Sequence, residues 1–120
     1  MAAYGAVHET LNPSEATGLH LYLDEVRRLP QLEPTEEARL LARVGRGDTE
    51  ALDEVTVRNL RLVAEIIADD TAEDATIFAR LERGNQALLE AIVSFAGSGR
   101  RSFRSYARSY IRRTIRSLIR

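Results

Sequence analysis

The chain has 120 residues, the length of one ordinary domain and enough to bury a core unaided. It has no cysteine, which excludes a disulfide framework and thiolate metal sites, and its 44% apolar content excludes general disorder. The formal net charge of −1 hides a division: nine arginines against all 18 acids leave residues 1–96 at −9, and eight arginines without an acid leave residues 97–120 at +8.

Such asymmetry points to an anionic partner for the basic end. Every basic residue is arginine, which codon usage in a GC-rich genome explains without chemistry. The opening MAAYGAVHETLNP lacks the basic start and apolar run of a signal peptide. No apolar run approaches the roughly 18 residues of a membrane span. A soluble, cytoplasmic protein that does not engage a membrane is expected.

Residues 1–17 are small and polar and are expected to form a flexible leader. Leu19, Leu21, Tyr22, Leu23, Val26 and Leu29 recur at near-helical spacing until Pro30. A second helix is predicted from Pro34 or Thr35, with Glu36 and Glu37 in its first turn, through Val44. Gly45-Arg46-Gly47 stops it, and Asp48 is a natural N-cap for the next. That next helix is predicted to be long, with Leu52, Val55, Leu60, Val63, Ile66 and Ile67 on one face. Asp69-Asp70-Thr71 interrupts it. A shorter helix is predicted over 74–83, then a turn or loose joint at Gly84-Asn85, then an amphipathic series to Phe95. Residues 96–100 read as a loop, and 102–119 as a last helix. No alternating strand pattern is present. The predicted class is all-α: a compact bundle of about five helices ending in a basic amphipathic helix.

Enzyme chemistry finds little support. There is no cysteine nucleophile, no phosphate loop with lysine, and no histidine paired with a carboxylate at helical spacing. His8 and His20 lack metal-ligand spacing, and His20 reads as a surface or packed histidine. Glu36-Glu37 and Asp69-Asp70 are sequence neighbours, so on a helix they point to different faces and form no dyad. No catalytic residue, cofactor or metal is expected. The last helix interleaves Phe103, Tyr106 and Tyr110 with arginines. Arginines neutralise phosphates, and exposed aromatic rings stack on unpaired bases. Periodicity alone leaves a second reading open, in which the aromatic rings are core and the arginines a solvated face. A third is a basic amphipathic helix on anionic lipid.

Taken together, these segments resemble the bacterial sigma-70 family of RNA polymerase initiation factors over about residues 17–120. Leu21-Tyr22-Leu23-Asp24-Glu25-Val26 is similar to the family's YL-x-E-I. Pro30 to Leu32 and Thr35-Glu36-Glu37 through Gly47-Asp48 follow its P-x-L-x-x-x-E-E…A-R-x-x-x-G-D. Asn59-Leu60-Arg61-Leu62-Val63 matches N-L-R-L-V. Gly84-Asn85, Leu88, Ala91 and Phe95 match G-N-x-x-L-x-x-A-x-x-x-F. Phe103, Tyr106-Ala107 and Tyr110-Ile111-Arg112 resemble F-S-T-Y-A-x-W-W-I-R. Each is weak alone; five in order at family spacing are strong evidence of homology.

The resemblance implies a helical domain like sigma-70 region 2, divided as 18–47 (segment reading the non-template strand), 48–96 (polymerase-binding) and 97–120 (loop and −10-reading helix). It implies a cytoplasmic, nucleoid-associated transcription initiation factor whose partners are the clamp helices of core RNA polymerase, the promoter −10 element and the melted non-template strand. The DNA-binding residues it implies are Arg100, Arg101, Phe103, Arg104, Tyr106, Arg108, Tyr110, Arg112, Arg113 and Arg116. Phe103 and Tyr106 would offer faces to an unstacked base, and Arg113 and Arg116 would read the upstream base pair. The implied polymerase-binding residues are Ala79, Arg80, Glu82, Arg83, Asn85 and Gln86.

Departures from the family pattern are informative. Its D-L-I-Q-E-G is Ala79-Arg80-Leu81-Glu82-Arg83-Gly84 here, so an acid is lost and another reversed in charge. Its tandem tryptophan is Ser109-Tyr110, and Ser109 cannot wedge a duplex fork open. Its Gly-aromatic-Lys before the helix is Arg100-Arg101-Ser102, and Asp69-Asp70 replaces a basic-aromatic pair. The resemblance reaches Arg120 without a −35-reading domain, which leaves either a separate −35-reading protein or an anti-sigma open as a further partner. The alternative is a non-melting sigma mimic, or an interaction regulator of polymerase or of an anti-sigma.

Overall fold

A computed structural model describes residues 16–69, 77–96, 98 and 102–118. Among these the chain forms six helices and no strand. They are α1 (Ala16–Arg27), α2 (Pro34–Gly45), α3 (Thr49–Arg58), α4 (Leu60–Asp69), α5 (Ile77–Ala96) and α6 (Phe103–Leu118). The all-α class read from the pattern is the one observed. The leader expected over 1–17 lies outside the described residues up to 15.

Helix α1 buries Tyr22, Leu23 and Val26. It ends because the ring of Pro30 disfavours helical geometry at Leu29. Arg58 Nη1 donates 2.8 Å to the Pro30 carbonyl, fastening this turn to α3. Helix α2 starts with Pro34 in its first turn, where the missing N–H costs nothing. It buries Leu40 and Leu41. Gly47 closes it at φ 90°, a left-handed conformation that glycine adopts freely. Asp48 then caps α3, accepting 3.1 Å from the Ala51 amide and 2.8 Å from Arg43 Nε.

Two boundaries differ from the sequence pattern. The predicted long helix is divided at Asn59, whose amide turns to the Thr56 carbonyl at 3.1 Å. Its side chain replaces the lost bond by donating 2.8 Å to the Val55 carbonyl and 3.3 Å to Glu37 Oε2. An asparagine side chain can thus compete with the helix ladder. Conversely, the predicted break at Gly84-Asn85 is absent, and α5 runs unbroken through it. A Cβ on Gly84 would sit 2.7 Å from Val63 Cγ1 of α4 and 3.2 Å from Ile115 Cδ1 of α6. Glycine is here for closeness, and the packing it permits offsets its poor helix propensity.

Helix α4 is nearly surrounded, with Leu60, Leu62, Val63, Ala64, Ile66 and Ile67 buried, and it packs on α1, α5 and α6. Helix α5 contacts α2, α3, α4 and α6. Helix α6 lies against α5 and α4 through Phe103, Ala107, Ile111 and Ile115.

Two outcomes are expected. Gly84→Ala, which would stabilise a solvated helix, should instead destabilise by about 1–3 kcal/mol through overpacking, read by urea unfolding. Val63→Ala in the same chain should recover part of that loss. Asp48 is held below its ordinary carboxyl value of 3.8 by the Ala51 amide first and the Arg43 guanidinium second. A lowered folded value means its contribution is full above 3.8 and is lost as pH falls through that lower value. Asp48→Asn should therefore lower the Tm near neutral pH, and the difference from wild type should shrink on acidification below about pH 4.

Candidate nucleic-acid interface

Residues four apart on a helix lie nearly above one another, so α6 divides into four rows. The core row is Phe103, Ala107, Ile111 and Ile115, all buried. On one flank Arg104, Arg108, Arg112 and Arg116 form a continuous exposed row. At 1.5 Å per residue it is about 18 Å long. On the other flank Tyr106, Tyr110 and Thr114 are half-buried towards α5. The outward row is Ser105, Ser109, Arg113 and Ser117, all exposed and mostly small. None of the five described arginines of α6 forms an ion pair with a described residue. Arg108 shares a shallow cleft with Glu65 and Asp69 without pairing to either.

The aromatic residues separate by depth. Phe103 is 5% exposed and meets Phe95 edge-on at 5.2 Å. Its ring is therefore core, and the expectation that it presents a face to a base is corrected. Tyr106 packs on Phe95 at 5.5 Å, and its hydroxyl shares a 2.8 Å hydrogen bond with Ser94. Tyr110 lies 6.1 Å from Tyr106 and donates 3.2 Å to Glu90 Oε1. Burial first, and the Glu90 carboxylate second, push the Tyr110 phenol above its ordinary value. Arg100 and Arg101 lie outside the described residues.

The second predicted set falls on α5 and is not one surface. Ala79, Glu82 and Gln86 are exposed and, with Val93, mark its outward side. Arg80 is 2% exposed and Asn85 0%, so these two expected contact residues are interior. Asn85 Nδ2 reaches the Tyr22 hydroxyl of α1 at 3.5 Å. Arg80 shares its row with Gly84, which α4 and α6 approach closely, whereas Asn85 lies on another row of α5, towards α1. Arg83 is half-buried and turns towards Glu90 Oε2, 3.6 Å away.

Sequence reasoning missed Glu90 and Ser94, which anchor the two tyrosines. Both lie across a helix pair from their partners, where no local spacing signals them. It also missed a cleft of about 720 Å³ between α2 and the α5–α6 corner, lined by Leu32, Glu37, Leu41, Phe95, Phe103 and Arg104 among others. Among the described residues no acid–histidine group could hold a metal, and no helix is long and apolar enough to cross a membrane.

No family model matches the chain. It is 36% identical over 113 residues to the RNA polymerase sigma factor RpoH of Rhizobium radiobacter, covering 92% of this chain and 37% of that protein. It is 33% identical over 99 residues to RpoS of Coxiella burnetii, covering 82% of this chain and 28% of that one. It is 31% identical over 97 residues to SigA of Clostridium acetobutylicum, covering 81% and 26%. Fold and site define an all-α domain that displays one cationic helix. By sequence relationship that domain belongs with the sigma-70 family of RNA polymerase sigma factors. The chain spans between about a quarter and somewhat over a third of the length of these relatives.

Removing the Glu90 charge tests the α5–α6 anchor. Glu90→Gln should lower the Tyr110 pKa, yet leave it above 10.0 because burial, the larger cause, persists. Titration of the Tyr110 ring signals by NMR measures it.

Proposed function

We propose that the chain acts as a sigma-factor-like protein in bacterial transcription initiation, with no catalysis of its own. In this reading α6 binds promoter −10 DNA and its melted non-template strand, and the exposed side of α5 docks on the clamp helices of core RNA polymerase in the cytoplasm. One observation carries it: the exposed row Arg104, Arg108, Arg112 and Arg116 has no acidic partner among the described residues, on a helix whose relatives are sigma factors. A row about 18 Å long matches roughly five phosphates of one strand at 3.4 Å of axis each. Tyr106 and Tyr110 lie half-buried on the opposite flank of α6, across the outward row, where partly exposed rings can take part in sequence-tolerant stacking. The cleft beside Arg104 supports a place for an unstacked base.

A second reading is favoured by the outward row. Ser105, Ser109 and Ser117 offer no wedge to hold a fork open. On this reading the chain occupies polymerase as a mimic that does not melt DNA. Permanganate reactivity decides between them: reactive promoter thymines support an initiator, and their absence with polymerase bound supports the mimic.

The test of the main reading is DNA binding as a function of salt. Replacing Arg112, Arg113 and Arg116 with alanine should weaken binding across sequences and flatten the slope of log K against log salt by about 2–3. An unchanged slope would mean that this face is only solvated. Pull-down of core polymerase by the full chain tests the second partner, and failure there with DNA binding intact would remove the sigma-like role.

A further inference from the structure

A shallow cleft of about 330 Å³ lies where α5 meets the far side of α6, lined by Arg83, Tyr110, Arg113, Thr114 and Ser117. Arg83 comes from α5 and the rest from α6. Arg83 Nη1 is enclosed and has no hydrogen-bond partner. Its nearest carboxylate oxygen, Glu90 Oε2, stands 3.6 Å away, close enough to attract and too far to accept a hydrogen bond. Glu90 meanwhile accepts 3.2 Å from the Tyr110 hydroxyl through its other oxygen. An enclosed guanidinium N–H without an acceptor is costly, so the Arg83 charge is only partly offset inside the protein, and the rest of its side chain, 34% exposed, borders the cleft.

The rest of the lining shows what kind of acceptor fits. Arg113 is exposed and forms no ion pair with a described residue. Thr114 and Ser117 donate to carbonyls of their own helix, at 2.9 Å to Tyr110 and 2.7 Å to Thr114. They add no charge and occupy little room. Two guanidiniums against one carboxylate leave the cleft positive. We propose that this cleft is an anion site for a phosphoryl group, with the accessible remainder of the half-buried Arg83 guanidinium, anchored by its enclosed Nη1, supplying one donor and Arg113 the second positive charge. The planar fork of arginine suits phosphate oxygens, which are stronger acceptors than water. The phosphoryl group has two sources: a backbone phosphate of nucleic acid laid along α6, or a free nucleotide or polyphosphate. The first rests on the DNA reading above; the second does not. Arg83 stands where the sigma-70 resemblance implies an acid, so the site belongs to this chain's own substitution.

Titration of the full chain with inorganic pyrophosphate, followed by NMR at the Arg83 and Arg113 side chains and the Thr114 amide, tests the site. Saturable shifts are expected, with the Kd raised at least tenfold in Arg83→Gln and in Arg113→Gln. Arg113 is exposed, so its variant keeps the test readable if Arg83→Gln disturbs folding. The same variants are then measured for salt-dependent DNA binding. A slope flattened by about 1 in Arg83→Gln identifies a backbone phosphate as the occupant. An unchanged slope with pyrophosphate binding present identifies the free anion. No saturable shift in wild type, or shifts that both variants retain, overturns the site. Absence of DNA binding by the wild type would sink the promoter reading and leave the pyrophosphate result to decide the cleft on its own.

Discussion

The closeness of α4, α5 and α6 at Gly84 is the constraint on which the rest of the structure depends. A hydrogen in place of a Cβ lets Val63 of α4 and Ile115 of α6 both close on the middle of α5. Ile115 belongs to the same row of α6 as Phe103, Ala107 and Ile111. Once that row is drawn onto α5, the rotation of α6 about its axis is set. The arginine row then falls outward on one flank, and the tyrosines fall against α5 on the other. The same approach lies over the row of α5 that carries Arg80. One glycine therefore bears both on which residues α6 shows and on the row of α5 that lies beneath it.

The tyrosine flank locks that rotation from the other side. Tyr106 bonds Ser94 and Tyr110 bonds Glu90, so two hydroxyls on successive turns of α6 are fixed to successive turns of α5. An apolar row alone resists separation of helices but tolerates small rolls. Directed hydrogen bonds at 2.8 and 3.2 Å resist the roll as well. The aromatic chain Phe95–Tyr106–Tyr110 fills the seam between them.

Much of this was legible in the sequence, and the parts that were not share a cause. Pro34, Gly47 and Asp48 act through bonds and torsions of their immediate neighbours, so their roles can be read locally. The four-residue spacing of α6 likewise shows its rows. Asn59 and Gly84 mislead because a partner distant in sequence decides them. Asn59 breaks a helix that periodicity continues, aided by Glu37 from α2. Gly84 continues a helix that propensity breaks, because Val63 and Ile115 crowd it. Phe103 shares its four-residue row with Ala107, Ile111 and Ile115, so spacing places it deeper than Tyr106 and Tyr110, against the base-facing role that the family resemblance implies. The edge-on contact of its ring with Phe95 of α5 agrees with that depth.

The charge division takes its physical meaning from where the acids are spent. In the body, Arg28 pairs with Glu25, Arg43 with Asp48, Arg58 with Glu54, Arg61 with Glu65 and Arg83 with Glu90. Four of these pairs lie three to five residues apart, within a helix or across one cap. Exposed pairs of this kind add little stability each. Their effect is instead on the field: they cancel the body's cations locally and leave its surplus acids elsewhere on the surface. Helix α6 has no acid of its own to do the same. Its arginines stay uncompensated along one edge, which concentrates positive potential there despite a net charge of −1. A polyanion approaching the molecule would thus be steered to that edge and repelled from the remainder, so one surface selects both the partner and its orientation.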